Sequence, residues 1–127
     1  MTLTLTHRRY VDFSRAHYAG NLVDGAYTLG LFGDIATDVC LQLDGDEGLF
    51  AGYSEVAFQH PVRGGDVIEV TATVTRVGKR SRDISFSASI VTRSMADGTN
   101  RGEVLAEPIP AVSATGTVVV PVREEHL

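Results

Sequence analysis

Residues 21–43, NLVDGAYTLGLFGDIATDVCLQL, decide how this chain folds. Asn21 is a good N-cap, and Asp24 three residues on makes a variant of the capping box. From Leu22 to about Leu43 the pattern is helical, with Leu22, Ala26, Leu29, Phe32, Ala36, Val39 and Leu43 on one broad apolar face. A helix this long, apolar over most of its circumference, must be held by tertiary burial. Gly25, Gly30 and Gly33 each weaken it by roughly 1 kcal/mol against alanine. Small residues in a buried helix let another backbone come close, so they are read as the contact with a sheet wrapped around it. A membrane span is excluded, because Asp24, Asp34 and Asp38 would each cost roughly 2.5–3.5 kcal/mol in hydrocarbon.

Working outward, Thr2 to Phe13 reads as a first strand, followed by a short polar segment, Ser14 to Gly20. Beyond the helix, Asp44-Gly45-Asp46-Glu47-Gly48 is a turn. Everything after it reads as β: Leu49 to Gln59, Asp66 to Val77, Arg82 to Arg93 and Ala111 to Val122. Alternation is clearest at Ile84, Phe86, Ala88 and Ile90, one buried face and one wetter one. Gly64-Gly65-Asp66 and Gly78-Lys79 mark turns, and Ser94 to Pro110 reads as a longer loop bordering a site or an interface. The expected class is α+β: one long central helix wrapped by an antiparallel sheet of five or six strands, the hotdog arrangement. One helix cannot cover such a sheet and protect its edges, so a homodimer or higher homo-oligomer is expected.

With 127 residues, the chain suits a single domain over 1–127. A net charge of −5 leaves no surplus of Lys and Arg for a phosphate backbone, which argues against nucleic acid. The single cysteine, Cys40, lies in an apolar stretch and reads as core in a reducing compartment. Met1 to Tyr10 carries no continuous apolar run of the signal-peptide kind, so a cytoplasmic location is expected.

Asp44, Asp46 and Glu55 fall at positions 1, 3 and 12 of a calcium loop, but Leu49 stands where that loop needs glycine, and calcium is rejected. His7, His17, His60 and His126 show no pair at metal spacing, and Cys40 has no neighbouring ligand, so no metal is expected. No nucleophile elbow or phosphate-binding glycine loop is present.

Three groups of residues remain as site candidates. His17-Tyr18-Ala19-Gly20-Asn21 precedes the helix start, where free backbone N–H groups can polarise a thioester carbonyl; the plainer reading is a loop whose Asn21 merely caps the helix. Asp34 sits in an apolar setting, where burial would raise its pKa towards proton-transfer range; alternatively Asp24, Asp34 and Asp38 form one solvated stripe. Glu55, by alternation on the same strand face as Tyr53 and Ala57, is either an exposed residue or a base facing an intersubunit cleft. Lys79, Arg80 and Arg82 form a basic turn, either plain surface or a grip on CoA phosphates.

His17–Ala26, Leu31–Thr37 and Asp44–Tyr53 together resemble the hotdog ammonia lyases that act on 3-aminobutyryl-CoA and β-alanyl-CoA. Pro61-Val62, Gly65-Asp66, Ile68-Glu69, Val77-Gly78, Ser81-Arg82 and Ala114-Thr115-Gly116 continue the resemblance, which runs from about His17 to Val120. It implies a homo-oligomer, an acyl-CoA substrate and no metal or organic cofactor, CoA being part of the substrate. It also implies a carbon–nitrogen lyase. A base removes the acidified α-proton, donors hold the enolate oxygen, and an acid meets the leaving amine. For this chemistry Asp34 and Glu55, from one subunit or two, are the proposed base and acid, with His17 as a third catalytic candidate and Tyr18, Gly20, Asn21, Gly52 and Tyr53 against the substrate. Arg15 and Ala57 depart from the pattern where relatives carry carboxylates, which would change the amine or the reaction. Hydrolysis by a hotdog thioesterase and non-catalytic acyl-CoA binding are the alternatives.

Overall fold

The structure is a computed structural model that describes residues 3–122; Thr2 at the head of the expected first strand and His126 lie outside them. In chain order it has β1 (Thr4–Tyr10), a 3-10 turn (Phe13–Arg15), β2 (Ala16–Tyr18), β3 (Leu22–Val23) and α1 (Gly25–Asp44). Then come β4 (Leu49–Phe58), β5 (Val67–Val77), β6 (Ser81–Ser94) and β7 (Gly102–Val119). The main sheet is antiparallel with strand order β1-β5-β6-β7-β4, and β2 and β3 form a small hairpin of their own. The α+β class and the wrapped helix expected from sequence are both present.

Alternation builds the core. On β5, Ile68, Val70, Ala72 and Val74 are buried, and on β6 Ile84, Phe86, Ala88 and Ile90 point the same way. Against them α1 presses Phe32, Ile35, Ala36, Val39 and Cys40, with the Phe32 and Phe86 rings stacked at 5.0 Å. Burial pushes the Cys40 thiol's pKa up, which suits a packing residue rather than a nucleophile.

Several sequence expectations need correction. The helix begins at Gly25, not Leu22, and its N-cap is Asp24. Asn21 cannot be the cap, because its φ of 63° is left-handed and a cap needs extended backbone. Ala26 is exposed rather than on the buried face. A Cβ on Gly30 or Gly33 would meet nothing within 4 Å, so these glycines do not touch the sheet; they share the outer side of α1 with Asp34 and Thr37. Asp24, Asp34 and Asp38 are not one stripe, since Asp24 caps the helix and Asp38 bonds His7 Nε2 at 2.7 Å.

The loop expected over Ser94 to Pro110 shrinks to 95–101, because β7 starts at Gly102. Its first half pairs with β6 alone, while β4 joins only from Val112 onward. Proline can therefore stand at 108 and 110, where its missing N–H disturbs no second ladder.

Candidate active site

A cleft of about 550 Å³ opens at the amino end of α1. Three pieces of chain meet there. The β2–β3 hairpin turns through Gly20 and Asn21, both at positive φ, a conformation that asparagine tolerates. Asn21 is tied to the next turn in both directions: its side-chain amide donates to the Gly64 carbonyl at 2.8 Å, and the Gly64 amide donates back to the Asn21 carbonyl at 3.1 Å. Val23 N–H donates to the Val62 carbonyl, which seats β3 beside the Pro61-Val62 wall of the cleft.

Asp24 then starts the helix. Its Oδ1 accepts the Tyr27 amide at 3.1 Å, and its Oδ2 lies 2.6 Å from His17 Nε2. The His17 bond, and after it the Tyr27 amide, hold the Asp24 carboxyl below the usual carboxylate range. Helix geometry leaves the Gly25 and Ala26 amides without an intrahelical acceptor, and both residues line the cleft. The helix dipole adds partial positive charge at the same place, so a carbonyl oxygen gaining negative charge is stabilised there.

The opposite wall is the end of β4. Phe58 lays its ring where a Cβ on Gly25 would stand, 2.4 Å from Phe58 Cε1. The Gln59 and His60 amides both donate to the Ala111 carbonyl, and His60 Nδ1 lies 2.7 Å from the Pro110 carbonyl oxygen. Leu22, Val23, Pro61, Val62 and Val112 make the rest of the lining largely apolar.

The sequence-predicted residues are brought together only in part. Tyr18 lines the cleft, with its ring 4.4 Å from that of His17. His17 stands behind Asp24 rather than in the lining. Gly20 and Asn21 shape the hairpin, and Asn21's amide is committed to Gly64. Tyr53 is corrected to a core residue: its hydroxyl donates to the Leu29 carbonyl, its ring packs on Phe50 and Phe86, and burial pushes its pKa up. Gly52 beside it also lies outside the lining.

Asp34 is exposed on the outer face of α1, so the burial reading fails for the single chain. Glu55 is exposed on β4, and it does not share a face with Tyr53 as alternation implied. The register shifts between Tyr53 and Glu55, so Tyr53 opposes Gly116 on the helix side while Glu55 opposes Thr115 on the other. Neither carboxylate lines the cleft of its own chain.

Lys79 and Arg80 are exposed in the β5–β6 turn, but Arg82 is buried. Arg82 grips Asp44 through Nε at 3.0 Å and Nη2 at 2.8 Å, and its Nη1 donates to the Gly78 and Ser81 carbonyls. Its donors are spent on the fold, so it is removed from the phosphate-binding set. Sequence reading missed His60 and Phe58 as lining residues. Nothing local marks them, since His60's partner is 50 residues away. Among the described residues no three His, Cys, Asp or Glu side chains are grouped to hold a metal ion, and no helix is long and apolar enough to cross a membrane.

Residues 20–89 match the model of the thioesterase superfamily. The chain is 48% identical over 107 residues to the 3-aminobutyryl-CoA ammonia lyase of Acetoanaerobium sticklandii, covering 84% of this chain and 85% of that one. Among solved structures it is similar to the β-alanyl-CoA:ammonia lyase from Clostridium propionicum, with a TM-score of 0.88 and 30% identity over 93% of this chain and 85% of that one. A hexameric hotdog-fold thioesterase of Campylobacter jejuni shares the fold alone, at a TM-score of 0.73 and 19% identity over 91% of this chain and 80% of that one.

Proposed function

The chain belongs to the thioesterase superfamily and, within it, to the ammonia-lyase family, and on that premise we propose its reaction. It is a carbon–nitrogen lyase that eliminates ammonia from, or adds it to, the β-carbon of a 3-aminoacyl-CoA thioester. The observation that carries this is the open helix start. Gly25 and Ala26, whose amides have no intrahelical acceptor, line a largely apolar cleft, where a thioester oxygen can be held as its α-proton leaves. Electron density then returns from that oxygen to form the α,β double bond, and the β-amine departs.

The base for the α-proton comes from a neighbouring subunit. Asp34 and Glu55 stand outside the cleft of their own chain, while the outer side of α1, with Gly30 and Gly33, and the free edge of β4 are open to a second copy. The same holds for the CoA phosphates. A 20-residue helix spans about 30 Å, and Lys79 and Arg80 belong to the Asp44 end, so these cations serve a neighbour's cleft. The enzyme works as a homo-oligomer in the cytoplasm, without metal or organic cofactor.

The test is incubation with crotonyl-CoA and ammonium. Formation of 3-aminobutyryl-CoA supports the lyase, free CoA would instead make the chain a thioesterase, and binding without turnover would leave only an acyl-CoA binder. Asp34→Asn and Glu55→Gln are expected to lower turnover by about tenfold to a hundredfold each. Unchanged rates in both would remove the carboxylates from the mechanism.

A further inference from the structure

The reading above leaves the nitrogen side of the reaction without a group. Ammonium has no lone pair, so it can add to an enoyl thioester only after giving up a proton, and using it in place of the scarcer free ammonia calls for an acceptor in the cleft. Among the residues lining the cleft, Tyr18, Asp24 and His60 are the only titratable ones. Asp24 is already engaged on both oxygens, one by the Tyr27 amide and one by His17. His60 is engaged on one side only. A carbonyl oxygen can only accept, so the 2.7 Å contact with the Pro110 carbonyl puts the proton of the neutral ring on Nδ1. That leaves the lone pair on Nε2, which makes no hydrogen bond among the described residues. The backbone at this point is pinned by the Gln59 and His60 amides on the Ala111 carbonyl, so the ring has a fixed seat.

We infer that His60 Nε2 interconverts ammonium and ammonia in the cleft. This rests on the ammonia-lyase reading and adds to it the residue that meets the amine. In the addition direction, an N–H bond of ammonium breaks and its proton passes to Nε2. The nitrogen pair so freed forms the bond to the β-carbon, and the α,β π pair moves through the carbonyl to the thioester oxygen. A protonated carboxyl group of the neighbouring subunit gives its proton to the α-carbon. The imidazolium proton recharges that carboxyl through solvent. The sum is ammonium plus enoyl thioester giving 3-ammonioacyl thioester. In elimination the same steps run backwards, and His60 traps the released ammonia as ammonium.

The test uses His60→Asn, whose side-chain N–H can stand where Nδ1 stands and keep the Pro110 bond while removing Nε2. Addition to crotonyl-CoA is followed at fixed total ammonium from pH 6.5 to 8.5. The variant should track free ammonia only, so that its rate falls about tenfold for each pH unit downward while the wild type falls much less. It should keep near wild-type addition of methoxyamine, an amine uncharged at neutral pH, with the β-adduct identified by mass. A merely structural role would lower both amines alike, and that result overturns the assignment. So does a variant whose ammonium profile matches the wild type, although the lyase reading then stands. A wild-type protein that adds no amine at all overturns both.

Discussion

The two ends of α1 are each held by a carboxylate, and the two are built differently. At the far end Asp44 is locked to Arg82 by two hydrogen bonds, Gly45 closes the helix in the left-handed conformation with its amide on the Leu41 carbonyl, and the ion pair is largely shielded. At the near end Asp24 satisfies one amide and one imidazole, and the next two residues, whose amides have no intrahelical acceptor, line a cleft. Each end starts with unpaired backbone groups, carbonyls at the far end and amides at the near one. Where they are sealed, the helix is fixed to the sheet; where they are left open beside apolar walls, there is a place for a polarised carbonyl.

Breaking the sealed end should cost the most stability. Arg82→Met leaves Asp44 shielded without its partner and strips the Gly78 and Ser81 carbonyls of a donor, so urea unfolding should show a loss of about 2–4 kcal/mol. Adding Asp44→Asn should recover part of it, and no recovery would mean that the pair is not the cause. The open end should answer in activity instead. Asp24→Asn retains an oxygen for the Tyr27 amide but loses the charge facing His17, so turnover should drop by about tenfold while Tm moves by only a few degrees. A large fall in Tm would make Asp24 a structural lock like Asp44.

Acid should sharpen the contrast more gently. Asp24 and Asp38 are both held below the usual carboxylate range, Asp38 first by His7 and then by Gln42. Folding favours their ionised forms. The stability they bring is complete above the unfolded carboxylate value of about 3.9 and drains as pH falls through their lowered values. A Tm that stays level from pH 5 to 3 would contradict this. The smallest effect is expected from Gly25→Ala, whose new methyl displaces the Phe58 ring. Stability should change by less than about 1 kcal/mol, because helix propensity offsets lost packing, while KM for the acyl-CoA should rise severalfold. An unchanged KM would show that Phe58 does not shape the cleft.

Much of the fold was legible because apolar periodicity speaks about neighbours in the chain. The run from Leu22 to Leu43 announced a helix and Ile84 to Ile90 a strand, and both stand as read apart from their ends. Asn21 was misread because its side chain suits a cap, whereas its backbone conformation is set by the hairpin and by Gly64. The site was only half legible. Tyr18 and the helix start are adjacent in sequence, but Phe58 and His60 reach them only through pairing of β4 with β7. The Tyr53–Glu55 register shift is equally silent in composition, and it reverses which residue faces inward. Arg82 looked like one of three surface cations until Asp44, 38 residues away, claimed it.

The prolines at 108 and 110 have a consequence of their own. They sit on the half of β7 that has β6 on one flank and no strand on the other. A bare flank of that kind invites another chain to dock as an extra strand and can seed fibres, and a residue without an amide proton blocks the ladder such growth requires. These two rings thus act as a stopper against runaway polymerisation on the same margin of the sheet where β4, beyond them, is left free to join.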